Sequence, residues 1–163
     1  PALIDSKHIS ETVHFDGKET TILPTNQLGL EETYYQKQPI DIQPAPSDPS
    51  IKMPLGELFG ARSGDKGGCA NIGVWAKTEN AYSFLNECLT VKKIKELMPD
   101  LAEFQIDRYE LPNILSLNFY IHGILEDGVS SNTRKDGQAK SLGEYLRAKY
   151  IEIPKSLIKE KEA

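Results

Sequence analysis

The sequence predicts an α+β protein built as a two-layer sandwich, with helices on one face of a mainly antiparallel sheet. Three observations lead there. Short apolar runs with strand-like alternation recur between residues 55 and 153, interrupted by segments of helical period. The first two runs flank a glycine-rich loop, longer than a tight hairpin turn, and read as a hairpin and so antiparallel, against the parallel pairs of a doubly wound fold. The 163 residues suit one domain with an appendage, and 39% apolar side chains suffice for a core.

The elements follow in order. Residues 13–23 read as a β-hairpin, because two short β-branched or apolar runs flank Asp16-Gly17, a strong two-residue turn signal. A lone hairpin is marginal in water, so residues 1–23 are expected to be the edge of a larger domain that this chain lacks. Six of the ten prolines fall in residues 24–54, and Pro44-Ala45-Pro46-Ser47-Asp48-Pro49 reads as an extended spacer. Residues 24–53 are therefore expected to be a linker, and residues 54–154 a domain. Within it, 55–61 and 72–76 read as strands around the glycine-rich loop. Residues 80–89 and 90–98 read as helices with Asn80 and Thr90 as N-caps. Tyr82, Leu85 and Leu89 form one apolar face, Val91, Ile94, Leu97 and Met98 the next, and Pro99 ends the second helix.

Residues 104–111 read as a strand. Residues 114–125 are open between two readings. Leu115, Leu117, Phe119 and Ile121 alternate as in a strand, while Ile114, Leu117, Ile121 and Leu125 also make a helical stripe after Pro112. Residues 126–138 read as a polar loop, 139–149 as an amphipathic helix, 150–153 as a final strand and 155–163 as a charged, fraying tail. A ferredoxin-like arrangement suits this order and length.

Charge and special residues narrow the function. Residues 1–50 hold three Lys and eight Asp or Glu, while residues 51–163 hold sixteen of each sign. The net charge of −5 therefore belongs to the front segment. No basic field is present to hold a nucleic-acid backbone. No apolar run approaches the roughly 20 residues that span a bilayer. Cys69 and Cys88 make no disulfide framework and no metal-ligand spacing, and they read as free thiols of a cytoplasmic protein. The chain begins Pro-Ala-Leu-Ile-Asp with no signal-peptide pattern and reads as part of a longer or processed product.

Chemistry is expected first in residues 60–76, GARSGDKGGCANIGVWA. Gly64, Gly67 and Gly68 could aim successive amides at an anion, with Arg62, Ser63, Lys66 and Asn71 beside them. Asp65 could orient Lys66, bind a cation or act as a base. The alternative is a tight turn in which Asp65 caps amides and Arg62 meets an acid. The stretch is neither a P-loop nor a dinucleotide fingerprint. A second cluster, Asp107-Arg108-Tyr109-Glu110-Leu111-Pro112-Asn113 with Asn118 nearby, offers Glu110 as a general acid or base. Its alternative is an ion pair of Glu110 with Arg108 or Arg62. His8, His14 and His122 show no metal spacing, and no histidine partner for Cys69 is evident in sequence.

Residues 60–68 followed by Asn71-Ile72-Gly73-Val74-Trp75-Ala76 resemble the signature of the C-terminal ferredoxin-fold domain of AtuA-type proteins of acyclic terpene utilisation. Arg108-Tyr109-Glu110-Leu111-Pro112-Asn113 with Leu117-Asn118-Phe119 is similar to that domain's second signature, and 142–147 matches in style. The resemblance covers residues 54–154. It implies a large N-terminal domain as partner and a setting in citronellol, geraniol or branched acyl-CoA breakdown. It carries Arg62, Asp65, Lys66, Asn71, Arg108, Glu110, Asn113 and Asn118 over as matched positions. Cys69 stands where the family has Asn, and Glu126-Asp127-Gly128 replaces its glycine run.

Three readings follow. The chain is an accessory or ligand-binding domain whose glycine-rich loop holds an anion such as CoA or a carboxylate. Alternatively it is an assembly domain that packs on an N-terminal domain or a second copy. Or it is a catalytic domain with Asp65 or Glu110 as base. No metal site is expected, and the cofactor, if the chain uses one, is left unassigned by the sequence.

Overall fold

A computed structural model of the chain describes residues 6–22 and 42–162. It falls into two units, residues 1–39 and 40–163. In the first, a 3-10 turn at Ser6–His8 precedes strands β1 (Glu11–Phe15) and β2 (Lys18–Ile22), paired antiparallel from Glu11↔Ile22 to Phe15↔Lys18. Asp16 and Gly17 both have positive φ, 49° and 70°, which is the mirror-image type I′ turn that Asp-Gly favours. The hairpin is present as the sequence reading expects, and both its faces are exposed. Leu23 and most of the expected linker, residues 24–41, lie outside the described residues.

The second unit carries the core. Its main sheet contains β4 (Gly60–Lys66), β5 (Cys69–Trp75), β6 (Ile106–Leu111) and β7 (Ser116–Ile121). Their order is β4-β5-β7-β6, antiparallel throughout. Between β5 and β6 run α1 (Glu79–Cys88) and α2 (Val91–Leu97), so β7 inserts between two parallel strands, as in a split βαβ unit. After β7 come α3 (Leu142–Arg147), β8 (Tyr150–Pro154) and α4 (Lys155–Glu162). β8 pairs with β3 (Ser50–Pro54) in a separate two-stranded sheet.

Strict alternation in β5 and β7 builds the core. Ala70, Ile72 and Val74 with Leu117, Phe119 and Ile121 bury one face against Tyr82 and Leu85 of α1, Ile94 of α2 and Leu146 of α3. The alternation decides the open question at 114–125. Residues 116–121 are a strand, and Pro112 starts only a 3-10 turn, Pro112–Ile114, closed by Leu115 at φ 50°.

Several expected boundaries move, each for a local reason. Residues 55–57 are a 3-10 turn, and the strand begins at Gly60. The glycine-rich stretch is strand almost to its end, because pairing runs from Gly60↔Trp75 to Lys66↔Cys69. That leaves Gly67-Gly68 as a two-residue turn, with Gly67 at φ 64°. Thr78, not Asn80, caps α1 by accepting from the Ala81 amide, while Thr90 caps α2 as expected. Residues 50–53 of the expected linker belong to a strand, β3, held by β8. The expected fraying tail is α4, anchored by Leu157, which is 1% exposed.

Asp48 fixes the start of α4, accepting from the Ser156 amide at 2.9 Å and from its hydroxyl. The Ser156 side-chain and backbone bonds hold the Asp48 carboxyl below its ordinary value. A carboxyl depressed in the folded state stabilises fully above its unfolded pKa and loses that contribution as pH falls through the folded one. The contribution is complete above about pH 5 and fades below about pH 4. Asp48→Ala should therefore lower the urea midpoint at neutral pH and lessen the further loss on acidification. Equal acid sensitivity in both proteins would refute this role.

Candidate functional site

The two faces of the main sheet divide the residues that the sequence groups together. Register places Ala61, Ser63 and Asp65 level with Val74, Ile72 and Ala70, on the face that α1–α3 cover. Arg108 and Glu110, opposite Phe119 and Leu117, share that face. Arg62, Gly64 and Lys66 lie on the other face, with Asn71, Asn118 and Trp75. Among the described residues no helix buries that face, and its strand side chains are half-buried or exposed.

Arg108 and Glu110 form the ion pair that the sequence reading held as an alternative. Arg108 Nη1 donates to Glu110 Oε1 at 2.6 Å, Nε to the Leu89 carbonyl at 3.1 Å and Nη2 to the Asn86 carbonyl at 2.7 Å. The guanidinium thus closes the C-terminus of α1, where orphan carbonyls and the helix dipole favour a cation. Tyr82, on the same helix, has its phenol raised by burial and by the Glu110 charge.

The glycines at the turn also have a structural account. The segment after β7 folds back over Gly67-Gly68, and the Leu125 amide donates to the Gly68 carbonyl at 2.9 Å. A Cβ on Gly68 would fall on the Glu126 carbonyl oxygen. Gly67 carries the positive φ, and Gly128, at φ 111°, lies against it. Lys66 turns its ammonium to the Asp65 carbonyl at 3.0 Å. Asn113 stands exposed in its 3-10 turn.

Arg62 enters a different setting. It lines a cleft of about 400 Å³ with Ser63, Lys140, Gly143 and Glu144. Ser63 ties α3 to β4 there, its hydroxyl accepting from the Gly143 amide at 2.8 Å and donating to the Lys140 carbonyl at 3.2 Å. Lys140 reaches over β4, its ammonium 3.6 Å from where a Cβ on Gly64 would stand. Glu144 is engaged by Arg147 at 2.9 Å. Among the described residues, neither the Arg62 guanidinium nor the Lys140 ammonium has a hydrogen-bond or ion-pair partner. Two uncompensated cations beside one cleft can hold an anion, Arg62 in bidentate fashion.

Asp136 sets the position of Lys140. It accepts from the Lys140 and Ser141 amides, each at 2.8 Å, and from the Ser141 hydroxyl at 2.6 Å. Burial opposes its charged form, but the Ser141 and Lys140 bonds outweigh it and hold the carboxyl below its ordinary value. The carboxylate thus fixes the turn in which Ala139 takes φ 53°. Nothing in the sequence links Lys140 or Asp136 to Arg62. The three meet because α3 packs on β4. A second cleft of about 440 Å³ lies among Phe59, Trp75, Lys77, Arg147 and Leu157.

A family model described as the AtuA ferredoxin-like domain matches residues 53–152, which hold the whole main sheet and α1–α3. The chain belongs to the AtuA ferredoxin-like domain family. No curated protein and no solved structure matches it. In this AtuA ferredoxin-like domain the Asn71 amide donates to Asn118 Oδ1 at 2.9 Å, on the face that carries Arg62. At the turn end of the same face, His122 Nε2 lies 2.7 Å from Asp107 Oδ2, and its ring meets Tyr120 edge-on at 4.9 Å. Among the described residues, no helix is long and apolar enough to cross a membrane.

Proposed function

We propose that this AtuA ferredoxin-like domain is a cytoplasmic ligand-holding accessory to a larger N-terminal domain, working in acyclic terpene or branched acyl-CoA breakdown. Its cleft between β4 and α3 takes the anionic end of a ligand, a carboxylate or a CoA phosphate. The observation that supports this is the Arg62–Lys140 pair, two cations without partners among the described residues around one cleft. Of the glycine-rich stretch it is Arg62 and Ser63, more than Lys66 or the turn amides, that face this cleft.

Thermal-shift titration of the whole chain with phosphate, CoA, geranyl-CoA and citronellate tests the reading. Stabilisation by at least one of them is expected, as binding to the folded state alone requires. Arg62→Ala should abolish it, Lys140→Ala should weaken it, and Lys66→Ala should leave it intact. No shift with any of the four would overturn the reading.

An assembly role has its own support. Tyr109, Leu111 and Ile114 are 51%, 41% and 65% exposed on neighbouring positions at the β6 edge, an apolar strip that a second domain or a second copy would cover. A catalytic role for Glu110 has less, because its carboxylate is already bound to Arg108. Turnover lost in Asp65→Asn would revive a catalytic reading through Asp65.

A further inference from the structure

The turn end of the open face brings together a thiol, an imidazole and a carboxylate that the anion cleft does not use. The β5–β7 ladder ends at Ala70↔Ile121, which makes Cys69 and His122 the next residue on each strand. Tyr120, on the same face as His122, has its phenol raised first by a side-chain hydrogen bond with Cys69. The Gly123 amide, next in the chain, donates to Cys69 Sγ at 3.4 Å. His122 in turn is held by Asp107 at 2.7 Å and by the edge of Tyr120.

The proton positions follow from this geometry. The hydrogen bond from His122 keeps the Asp107 carboxyl below its ordinary value, so at neutral pH it is a carboxylate and can only accept. Nε2 of a neutral His122 must then carry the proton, which leaves Nδ1 as the basic nitrogen. The second thiol makes the contrast. Burial pushes Cys88 up to about 12, and its Sγ points back at the Leu85 carbonyl of its own helix.

We propose that Cys69 is a nucleophilic thiol that accepts acyl groups from thioesters, with His122 as its proton acceptor and Asp107 as the positioning residue. In the step, the Sγ–H bond breaks and its proton passes to His122 Nδ1. Sγ bonds to the acyl carbonyl carbon. The carbon–sulfur bond to the carrier then breaks with its electron pair on the carrier sulfur, which takes the proton back from His122. One thioester replaces another and nothing is oxidised. Thioesters fit because the leaving group is itself a thiol, which an imidazolium can protonate.

The proposal stands apart from the anion cleft, and the probe is chosen to keep it so. The acetyl thioester of N-acetylcysteamine carries no phosphate or carboxylate for Arg62 to hold. The whole chain, incubated with it and read by intact mass and peptide mapping, should gain one acetyl group, on Cys69 and not on Cys88. His122→Ala should slow the transfer about 100-fold, and added imidazole should restore part of the rate. Asp107→Asn should slow it as well and change the His122 ring nitrogen shifts to those of the other tautomer, an effect that a merely structural role would not produce. Cys69→Ser should abolish the adduct with the fold intact. Acetylation spread over Cys88 and lysines, no adduct on Cys69, or equal rates with and without His122 would each overturn the proposal.

Discussion

Gly68→Ala is expected to destabilise the domain by about 3 kcal/mol, the upper part of the range for forcing atoms into a filled site. For a domain of this size the melting temperature should fall by roughly 10 °C. The new Cβ would fall on the Glu126 carbonyl oxygen, which is backbone and cannot swing aside as a side chain can. Glu126 itself stands at φ 53° in the turn that carries the Leu125–Gly68 hydrogen bond, so displacing it breaks that bond and leaves the Gly68 carbonyl without its donor. Two neighbouring glycines give the controls. Gly67→Ala meets no atom within 4 Å but must hold φ 64°, a cost of about 1 kcal/mol. Gly64→Ala meets only the tip of Lys140, at 3.6 Å, and should be nearly neutral in stability. A Gly68→Ala protein as stable as Gly64→Ala would mean that the segment after β7 does not sit on the turn.

The same three glycines show what the sequence can and cannot carry. It marks residues 60–76 as unusual because a run of glycine, arginine and lysine between apolar strands is rare. It cannot say that Gly67 and Gly68 are needed for a turn and its cover, while Gly64 lies under Lys140 and Arg62 lines a cleft, because the partners lie 57 or more residues further along the chain. Period-2 alternation makes β5, β6 and β7 legible, and Asp16-Gly17 and Thr90 mark a turn and a cap by local chemistry alone. Thr78 is harder to see as a cap, since Asn80 is an equally good cap by residue type. The final helix is illegible for a different reason. Six charged or polar residues hide Leu157 and Ile158, and the cap, Asp48, sits in a proline-rich stretch that reads as linker.

The candidate site fails to be legible for a topological reason. A strand sends alternate side chains to opposite faces, so a motif read as one cluster becomes two. Arg62 and Asn71 fall on the open face, and Arg108 and Glu110 go under α1. Lys140 and His122 enter the open-face groups from positions that carry no local signal at all. Lys140 sits on a polar loop beyond β7, and His122 comes near Cys69 only because β5 and β7 pair up to Ala70↔Ile121.

Arg108→Ala should cost about 3 kcal/mol, as large an effect as any single side-chain truncation outside the apolar core. The side chain is only 18% exposed and serves four acceptors at once, the Glu110 carboxylate, the carbonyls of Asn86 and Leu89, and the Asn86 side chain. Hydrogen bonds to a charged group contribute about 1.5–3 kcal/mol, and removing the donor also leaves the helix-end carbonyls short of partners. Arg108→Lys separates charge from geometry. It keeps the cation near the end of α1 but cannot fork to carbonyls and carboxylate together, so it should recover less than half of the loss. Glu110→Gln should cost less than Arg108→Ala, because the guanidinium keeps its carbonyl acceptors and the neutral amide still accepts. Urea unfolding of the four proteins at neutral pH measures all of this. If instead Glu110→Gln proved the more damaging change, the pair would exist for the carboxylate and not for the helix end. Glu110 would then return as a functional group, its charge the property that the site preserves.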